Sequence, residues 1–161
     1  MGQGFWVIAK NIVRNADVVL EVLDARFPNI TRISRLEKLA KNKIIIIINK
    51  ADIVSNKTLE KIKIEYRNTN YVLISATNSR NIGELKMLIK RLANKKKIRV
   101  AVIGYPNTGK STLINQLSKG GRAGTSSESG FTKGMQIISG KGGIMLIDTP
   151  GIVPFEGRDE I

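Results

Sequence analysis

The sequence of 161 residues contains no cysteine and no histidine. Without cysteine the chain can form neither a disulfide framework nor a thiolate metal site. Without histidine it has no imidazole for catalysis or for metal ligation. Its apolar runs are too short to span a membrane, and residues 1–10 lack the basic segment and long apolar stretch of a secretion signal. These absences predict a cytoplasmic protein without a membrane partner, which we expect to be a monomer of about one domain.

Acidic residues are scarce relative to basic ones, with 13 Asp and Glu against 27 Lys and Arg and a formal net charge of +14. Such a basic chain suggests a polyanionic partner. The alternative is a lysine-rich surface that only aids solubility, because no RNA-binding sequence motif is visible. A basic cluster that follows a predicted helix has the same two interpretations, an RNA-facing patch or a solvated helix end. The cluster consists of Lys90, Arg91, Lys95, Lys96, Lys97 and Arg99.

The segment from Gly104 to Thr112 reads Gly-Tyr-Pro-Asn-Thr-Gly-Lys-Ser-Thr and matches the G-x-x-x-x-G-K-[ST] phosphate-binding loop. Such a loop needs glycine because backbone N–H groups turn inward around a phosphate, where a Cβ atom would obstruct them. Lys110 would supply a cation for the β- and γ-phosphates, and the Ser111 hydroxyl would bind Mg²⁺. An apolar, β-branched run precedes the loop and helically spaced leucines follow it, as phosphate binding between a strand and a helix requires.

Strands and helices are predicted to alternate along the chain. Five consecutive isoleucines, Ile44 to Ile48, are too short for a membrane span and predict a central parallel strand. Asn81 and Glu84 predict a capping pair for a helix that begins at Ile82. Gly140 to Gly143 predicts the turn of a hairpin. The resulting fold class is α/β, a mostly parallel sheet with helices on both faces. The further predicted strands are 18–23, 71–74, 98–103, 135–139 and 144–147, and the further helices cover 5–16, 34–42, 59–66 and 113–117.

Polar residues follow several of the predicted strands, where ligands gather in open α/β sheets. The isoleucine strand ends in Asn49-Lys50-Ala51-Asp52, and the next strand ends in Ser75-Ala76-Thr77. The Asp52 carboxylate can accept two hydrogen bonds from the N1–H and N2–H₂ edge of guanine, whereas adenine offers no such donor pair. A bidentate pair of this kind favours guanine by on the order of 1–3 kcal/mol. A plain turn after the strand is the simpler interpretation, but it leaves the coincidence with Ser75-Ala76 unexplained.

Further contacts to the nucleotide can be predicted from the same strand ends. The Lys50 stem would lie along the base, and the Ala76 N–H would donate to guanine O6. Asp148 follows the last strand, and its carboxylate would reach a water on the Mg²⁺ beside Ser111. Gly151 would offer its N–H to the γ-phosphate.

These motifs resemble those of a Ras-like GTPase domain in permuted order, because the guanine-reading motifs precede the phosphate loop and Asp-x-x-Gly. The chain is similar to the circularly permuted ribosome-assembly GTPases of the YlqF/YawG type. The Asp-Ala-Arg-x-Pro that begins at Asp24 also resembles that family. A permutation of this kind joins neighbouring termini and cuts an exposed loop, so it leaves the sheet intact. The resemblance implies a P-loop NTPase fold with a six-stranded sheet and a single GTPase domain over residues 1–161.

The resemblance also implies residue roles. Residues 119–134 would form a mobile first switch, in which Thr132 closes on Mg²⁺ and the γ-phosphate, and residues 148–161 would begin the second switch. Ser129-Gly130-Phe131-Thr132 departs from the Pro-Gly-x-Thr that is frequent in the family. Ile152 stands where Ras-like enzymes have a water-orienting glutamine, so weak intrinsic hydrolysis is expected, accelerated by K⁺ or a partner. Asn107 resembles the asparagine of K⁺-stimulated GTPases and suggests a potassium site.

The predicted site residues fall into three groups. The residues assigned to GTP are Asn49, Lys50, Asp52, Ser75, Ala76, Thr77, Tyr105, Pro106, Asn107, Thr108, Gly109, Lys110, Ser111, Thr112, Asp148 and Gly151. The catalytic assignments are Lys110, Thr132 and Gly151. The metal assignments are Ser111, Thr132 and Asp148 for Mg²⁺ and Asn107 for K⁺.

The predicted function is a GTP- and GDP-dependent switch that times a step in ribosomal-subunit assembly, with rRNA or a pre-ribosomal subunit as partner. The resemblance implies a C-terminal RNA-binding domain that the sequence does not contain, so the chain is expected to be either truncated or a minimal form. One alternative is a constitutive RNA-binding module whose nucleotide site is structural. Another is an ATP-using phosphotransferase, against which Asp52 argues.

Overall fold

The computed structural model of the chain describes residues 2–120 and 135–148. The α-helices are α1 (Gly2–Asn15), α2 (Pro28–Thr31), α3 (Ser34–Ala40), α4 (Asn56–Glu65), α5 (Ile82–Ala93) and α6 (Lys110–Leu117). The strands are β1 (Val18–Asp24), β2 (Ile44–Asn49), β3 (Tyr71–Leu73), β4 (Ile98–Gly104), β5 (Gln136–Ser139) and β6 (Ile144–Asp148). Short 3₁₀ turns cover Lys41–Lys43, Ala51–Ile53 and Lys141–Gly143. None of the described helices is long and apolar enough to cross a bilayer.

The six strands form one sheet in the order β3-β2-β1-β4-β6-β5. All neighbouring pairs are parallel except β5 and β6, which form the predicted hairpin. The interior strands β1, β2 and β4 are buried almost throughout, as continuous β-branched runs in a parallel sheet require. The predicted six-stranded, mostly parallel sheet is therefore confirmed.

Helices cover both faces of the sheet, also as predicted. On one face, α5 and α6 pack against alternate residues of the central strands through Leu85, Ile89 and Leu113. On the other face, α1 and α3 contribute Trp6, Ile12 and Leu36 to a second cluster, and α4 and Tyr66 cover the β2 end of that face. Because helices cover both faces, the sheet can expose polar groups to a ligand only where its strands begin and end. We call these two places the amino edge and the carboxyl edge of the sheet.

The predicted capping pair of α5 is wrong. Asn81 precedes the helix, but its backbone has φ 64° and its side chain caps no N–H group of α5. An N-cap side chain normally requires an extended backbone, which Asn81 lacks. Instead, Asn81 Nδ2 donates a hydrogen bond of 2.7 Å to the carbonyl of Leu73. The side chain therefore holds the turn after β3. The same helix stops at Ala93, so Lys95, Lys96 and Lys97 follow it.

Glu21 lies in the middle of β1 with no exposed surface. Burial, together with hydrogen bonding to the neighbouring Glu37 and its charge, raises the pKa of the Glu21 carboxyl to about 9. Its Oε2 accepts a hydrogen bond of 2.5 Å from the N–H of Ile33, and Glu37 in turn binds Arg32 through two bonds of 2.8 and 2.9 Å. A neutral carboxyl at pH 7 thus attaches the segment between α2 and α3 to the sheet.

Candidate nucleotide-binding site

The predicted site residues gather at the carboxyl edge of the sheet because the strand register aligns their strand ends. Asp24 pairs with Asn49, Val22 with Gly104, and Asp148 lies beside β4 at Val102. The turn after β2, the loop after β3 and the phosphate loop after β4 therefore meet at one edge. This is the place where parallel α/β sheets bind ligands.

Asn49 joins these three loops through its side-chain amide. The residue is 3% exposed. Its Nδ2 donates to the carbonyl of Thr108 at 2.9 Å, and its Oδ1 accepts from the N–H of Ala76 at 3.0 Å. The Ala76 N–H that was expected to face guanine O6 is therefore already engaged by Asn49 in this structure. Both polar ends of the amide are satisfied, so Asn49 fixes the distance between the base-reading loops and the phosphate loop.

The phosphate loop has the backbone conformation that its glycines predict. Asn107 and Gly109 have φ angles of 69° and 91°, and the Thr108 hydroxyl donates to the carbonyl of Tyr105 at 2.8 Å. A Cβ atom at Gly109 would overlap Asn49 Nδ2, and one at Gly104 would lie 2.8 Å from the carbonyl oxygen of Val22. The loop ends where α6 begins, so the positive end of that helix points at the same place.

Lys110 and Asp148 face each other at the centre of the site, with Lys110 Nζ donating to Asp148 Oδ1 at 2.6 Å. Ser111, the next residue along α6, is exposed. A hydroxyl and a carboxylate are the hard oxygen donors that Mg²⁺ prefers, so these two residues fit the predicted ion. Over residues 2–120 and 135–148 no three acidic, histidine or cysteine side chains cluster, so phosphate oxygens would have to supply further ligands.

Lys50 connects the base-reading turn to the phosphate loop. Its backbone has φ 67°, its Nζ donates to the carbonyl of Asn107 at 2.6 Å, and the same Nζ lies 3.1 Å from Asp24 Oδ2. Arg26 binds Asp24 through its Nε and Nη2 at 3.1 and 2.8 Å. Although burial favours the neutral acid, hydrogen bonds from Arg26 and Lys50 lower the pKa of Asp24 to about 2. The role of Asp24 was missed in the sequence, where only the Asp-Ala-Arg-x-Pro pattern pointed to it.

The base-reading side of the site is more open. Asp52 lies exposed on the turn Ala51–Ile53, and its Oδ2 accepts a hydrogen bond of 3.1 Å from Asn78. Ser75 is buried, and its hydroxyl has no hydrogen-bond partner within the described part of the chain. Gln116 on α6 donates to the carbonyl of Ala76 at 3.0 Å, a contact that its position in the sequence did not indicate. The Asp52 carboxylate is thus accessible, and the loop beside it is held from two sides.

Several predicted residues lie outside the described ranges. These are Thr132, Gly151 and Ile152, together with most of the two predicted switches. Their assigned roles stay predictions. Among the described residues, Thr77, Pro106 and Asn107 are exposed at the same edge, and Tyr105 and Thr112 are half-buried there.

Several known proteins are similar to this chain in sequence. The family model described as "50S ribosome-binding GTPase" matches residues 99–161. An uncharacterized GTP-binding protein of Methanocaldococcus jannaschii is 40% identical over 160 residues, which is 96% of this chain and 43% of that protein. Ribosome biogenesis GTPase A of Thermotoga maritima is 38% identical over 146 residues, 89% of this chain and 53% of that protein. Nucleolar GTP-binding protein 2 of Saccharomyces cerevisiae is 36% identical over 170 residues, 96% of this chain and 34% of that protein.

Two solved structures have the same fold. The GDP-bound structure of TM YlqF matches with a TM-score of 0.59 and 33% identity, covering 89% of this chain and 57% of that one. YjeQ from Thermotoga maritima matches with a TM-score of 0.64 at 23% identity, covering 90% of this chain and 51% of that one, and shows the fold alone. The chain spans between about a third and about half the length of the curated relatives named above. Its permuted motif order and these similarities show that the chain belongs to the circularly permuted GTPases of the YlqF/YawG type.

Proposed function

We propose that the chain binds GTP and GDP at the carboxyl edge of its sheet and acts as a nucleotide-dependent switch in ribosomal-subunit assembly. The observation that supports the proposal is the double hydrogen bond of Asn49 to Thr108 and Ala76, which ties the turn after β2 to the phosphate loop and to the loop after β3. A turn with only a structural role would not need to contact both the phosphate loop and the loop after β3. A nucleotide, which has a base and a phosphate chain, needs both at once.

Guanine selectivity is assigned to Asp52. The side chain is exposed at the site, and it accepts a solvent-exposed hydrogen bond from the Asn78 amide, which a ligand can replace. The N1–H and N2–H₂ donors of guanine match the two oxygens of a carboxylate, whereas adenine would leave the charge unpaired. Ser75, Ala76 and Thr77 form the opposite wall of the base pocket.

Hydrolysis is assigned to the residues around the phosphate loop. Lys110 would bind the β- and γ-phosphates, Ser111 and Asp148 would hold Mg²⁺, and Thr132 and Gly151 would contact the γ-phosphate. Mg²⁺ supplies positive charge to the phosphate oxygens when it is bound. Ile152 cannot orient a water as glutamine does, so we infer slow intrinsic hydrolysis. The Asn107 side chain is exposed beside the loop, and we assign it to a K⁺ ion that would speed the reaction.

The cellular role is inferred from the relatives and from charge. Two of the relatives bear names that refer to ribosome biogenesis or the nucleolus, and the matched family model refers to the 50S ribosome. A net charge of +14 suits a ribosomal RNA partner. GTP would order residues 119–134 and 148–161, and loss of the γ-phosphate would release them, which gives the partner two states to distinguish.

The nucleotide proposal is tested by titrating the Mg²⁺-loaded chain with labelled GDP and a non-hydrolysable GTP analogue, with ATP as competitor. Wild type should bind guanine nucleotides and ignore ATP, and Asp52→Asn should weaken binding by about 5- to 150-fold, because a bidentate pair is worth about 1–3 kcal/mol. Glu60→Gln, which neutralises an exposed carboxylate on α4, is the matched control and should bind normally. Equal competition by ATP would overturn the proposal and favour a different phosphate-loop enzyme.

The potassium assignment has its own test. GTP turnover is compared in K⁺ and Na⁺ buffers for wild type and Asn107→Ala, with GDP affinity measured in parallel. We expect K⁺ to stimulate wild type and to have no effect on the variant. Equal turnover of wild type in the two salts would remove K⁺ from the mechanism and leave the nucleotide site intact.

A further inference from the structure

A second, strongly basic cavity lies at the amino edge of the sheet, opposite the nucleotide site. It has a volume of about 830 Å³ and opens where β4 and β6 begin and β5 ends. Its floor consists of the buried strand ends Ile98 and Ile144. The segment between α5 and β4 runs along its rim, and this is where the permutation joins the two halves of the usual GTPase order. The cavity therefore adjoins β4, β5 and β6 at the end opposite the nucleotide site, and Lys119 is the one described lining residue that falls within the predicted first switch.

Almost all of the charged residues that line the cavity are positively charged. Five cationic side chains surround it, and they are Lys95, Lys96, Lys97, Arg99 and Lys119. The one acidic lining residue, Asp17, is already engaged, because Lys95 Nζ lies 3.1 Å from its Oδ1 and the Arg99 N–H donates to its Oδ2 at 2.8 Å. Within residues 2–120 and 135–148, no ion pair is formed by Lys96, Lys97 or Lys119. The cavity thus holds several cations that lack a carboxylate partner there.

Gly142 and Gly143 form a wall of the cavity directly beside these lysines. Gly142 and Gly143 have φ angles of 66° and 84°, and a Cβ atom at Gly143 would overlap the carbonyl of Lys96. The Lys90 ammonium reaches this wall, where a Cβ atom at Gly142 would lie 3.2 Å from its Nζ. The space in front of both glycines is thus filled by Lys90 and by the Lys96 backbone, so the turn between β5 and β6 packs tightly against the basic segment and brings Lys90 to the cavity as well.

We propose that this cavity binds the phosphodiester backbone of RNA. None of the described residues that line it is aromatic, so this part of the chain offers no surface on which a base could stack. Several mobile ammonium groups around a glycine wall suit consecutive phosphates rather than base edges, so binding is sequence-tolerant and strongly dependent on salt. The choice of RNA over other polyanions rests on the proposed function. The site would let the chain hold ribosomal RNA at one edge of the sheet while the other edge holds the nucleotide.

The test compares two charge-matched triple variants of the chain. Lys95, Lys96 and Lys97 are changed together to Gln in one, and Lys57, Lys61 and Arg67, which are exposed on and after α4 and outside the cavity, are changed to Gln in the other. Anisotropy of a fluorescein-labelled RNA hairpin is measured at several salt concentrations, with polyglutamate as competitor. Thermal melting and a GDP titration of each variant check the fold and the nucleotide site.

The cavity variant should lose at least tenfold in RNA affinity, and its slope of log affinity against log salt should fall by about 2 units, whereas the α4 variant should change little. Both variants should bind GDP as wild type does. Equal losses in both variants, no RNA binding by wild type, or competition by polyglutamate as strong as by RNA would each overturn the inference while GDP binding remains. Failure of wild type to bind GDP would instead overturn the proposed function.

Discussion

The two edges of the sheet handle charge in opposite ways. At the carboxyl edge, two of the central polar groups have definite partners, because Asn49 binds both Thr108 and Ala76 and Lys110 binds Asp148. At the amino edge, Asp17 is the one acidic residue among the described residues that line the open cavity, and it forms an ion pair with Lys95. A fixed constellation can select one small ligand by geometry, whereas loosely held cations select only for negative charge. The same sheet therefore offers a specific site and a tolerant one.

The largest effect on the difference between the two edges is expected from a substitution of glycine. Gly109→Ala forces φ 91° on a residue with a Cβ atom and displaces Asn49 Nδ2, and left-handed strain alone costs about 1–3 kcal/mol. We expect GDP affinity to fall at least about a hundredfold in a titration. Gly143→Ala creates a similar overlap at the amino edge and should leave GDP affinity unchanged. Gly83→Ala, in α5 with open space around it, is the control and should raise stability by about 1 kcal/mol. Equal GDP binding by all three variants would refute the contrast between the edges.

The next largest effect is expected from Asn49→Ala. The change removes two hydrogen bonds and leaves the buried Ala76 N–H without its partner, so unfolding free energy should drop by about 2–4 kcal/mol in urea. Hydrogen exchange at Ala76 should become faster in parallel. Asn68→Ala, at an exposed asparagine, should change neither quantity. Unchanged exchange at Ala76 would show that Asn49 does not hold the loop.

A pH experiment tests the middle of the sheet, away from both edges. The pKa of Glu21 is raised to about 9 in the folded state, so its contribution to stability is complete below pH 4.5 and is lost as pH rises through 9. Between pH 6 and 8 this group should lower wild-type stability by about 1.4 kcal/mol per pH unit. In Glu21→Gln that slope should vanish. Asp24, with its pKa near 2, contributes constantly in this range, so parallel curves for the two proteins would contradict the burial of a neutral Glu21.

The smallest effect is expected at the amino edge itself. The Lys95 side chain is 54% exposed in its ion pair with Asp17, and exposed pairs contribute about 0–1 kcal/mol. Lys95→Gln should therefore shift unfolding free energy by less than about 0.5 kcal/mol in urea. A much larger loss would show that the amino edge is as tightly organised as the carboxyl edge.

Sequence patterns predicted the sheet and its covered faces because burial of continuous β-branched runs leaves few alternatives. The phosphate loop could also be predicted from the sequence, since the spacing of its glycines reflects a local requirement of the backbone. Three features could not be predicted, because each depends on partners that only the tertiary fold brings close. They are the double contact of Asn49, the ion-pair cluster of Asp24 and the neutral Glu21. Asn81 was misjudged for the related reason that its backbone, not its residue type, decides where its amide points. The basic cluster was noticed, but only the fold shows the glycine wall that makes a cavity of it.

The contact between Asn49 and Thr108 also bears on the order of chain synthesis. Asn49 leaves the ribosome 59 residues before Thr108, its hydrogen-bond acceptor, and 27 residues before Ala76. During that interval β4, which pairs with the other side of β1, has not yet been made. The amide of Asn49 therefore has no buried partner in the phosphate loop. In the unpermuted order of motifs the phosphate loop is made first and waits for the base-reading turn. Here the nucleotide can assist folding only after the phosphate loop, Gly104 to Thr112, has emerged.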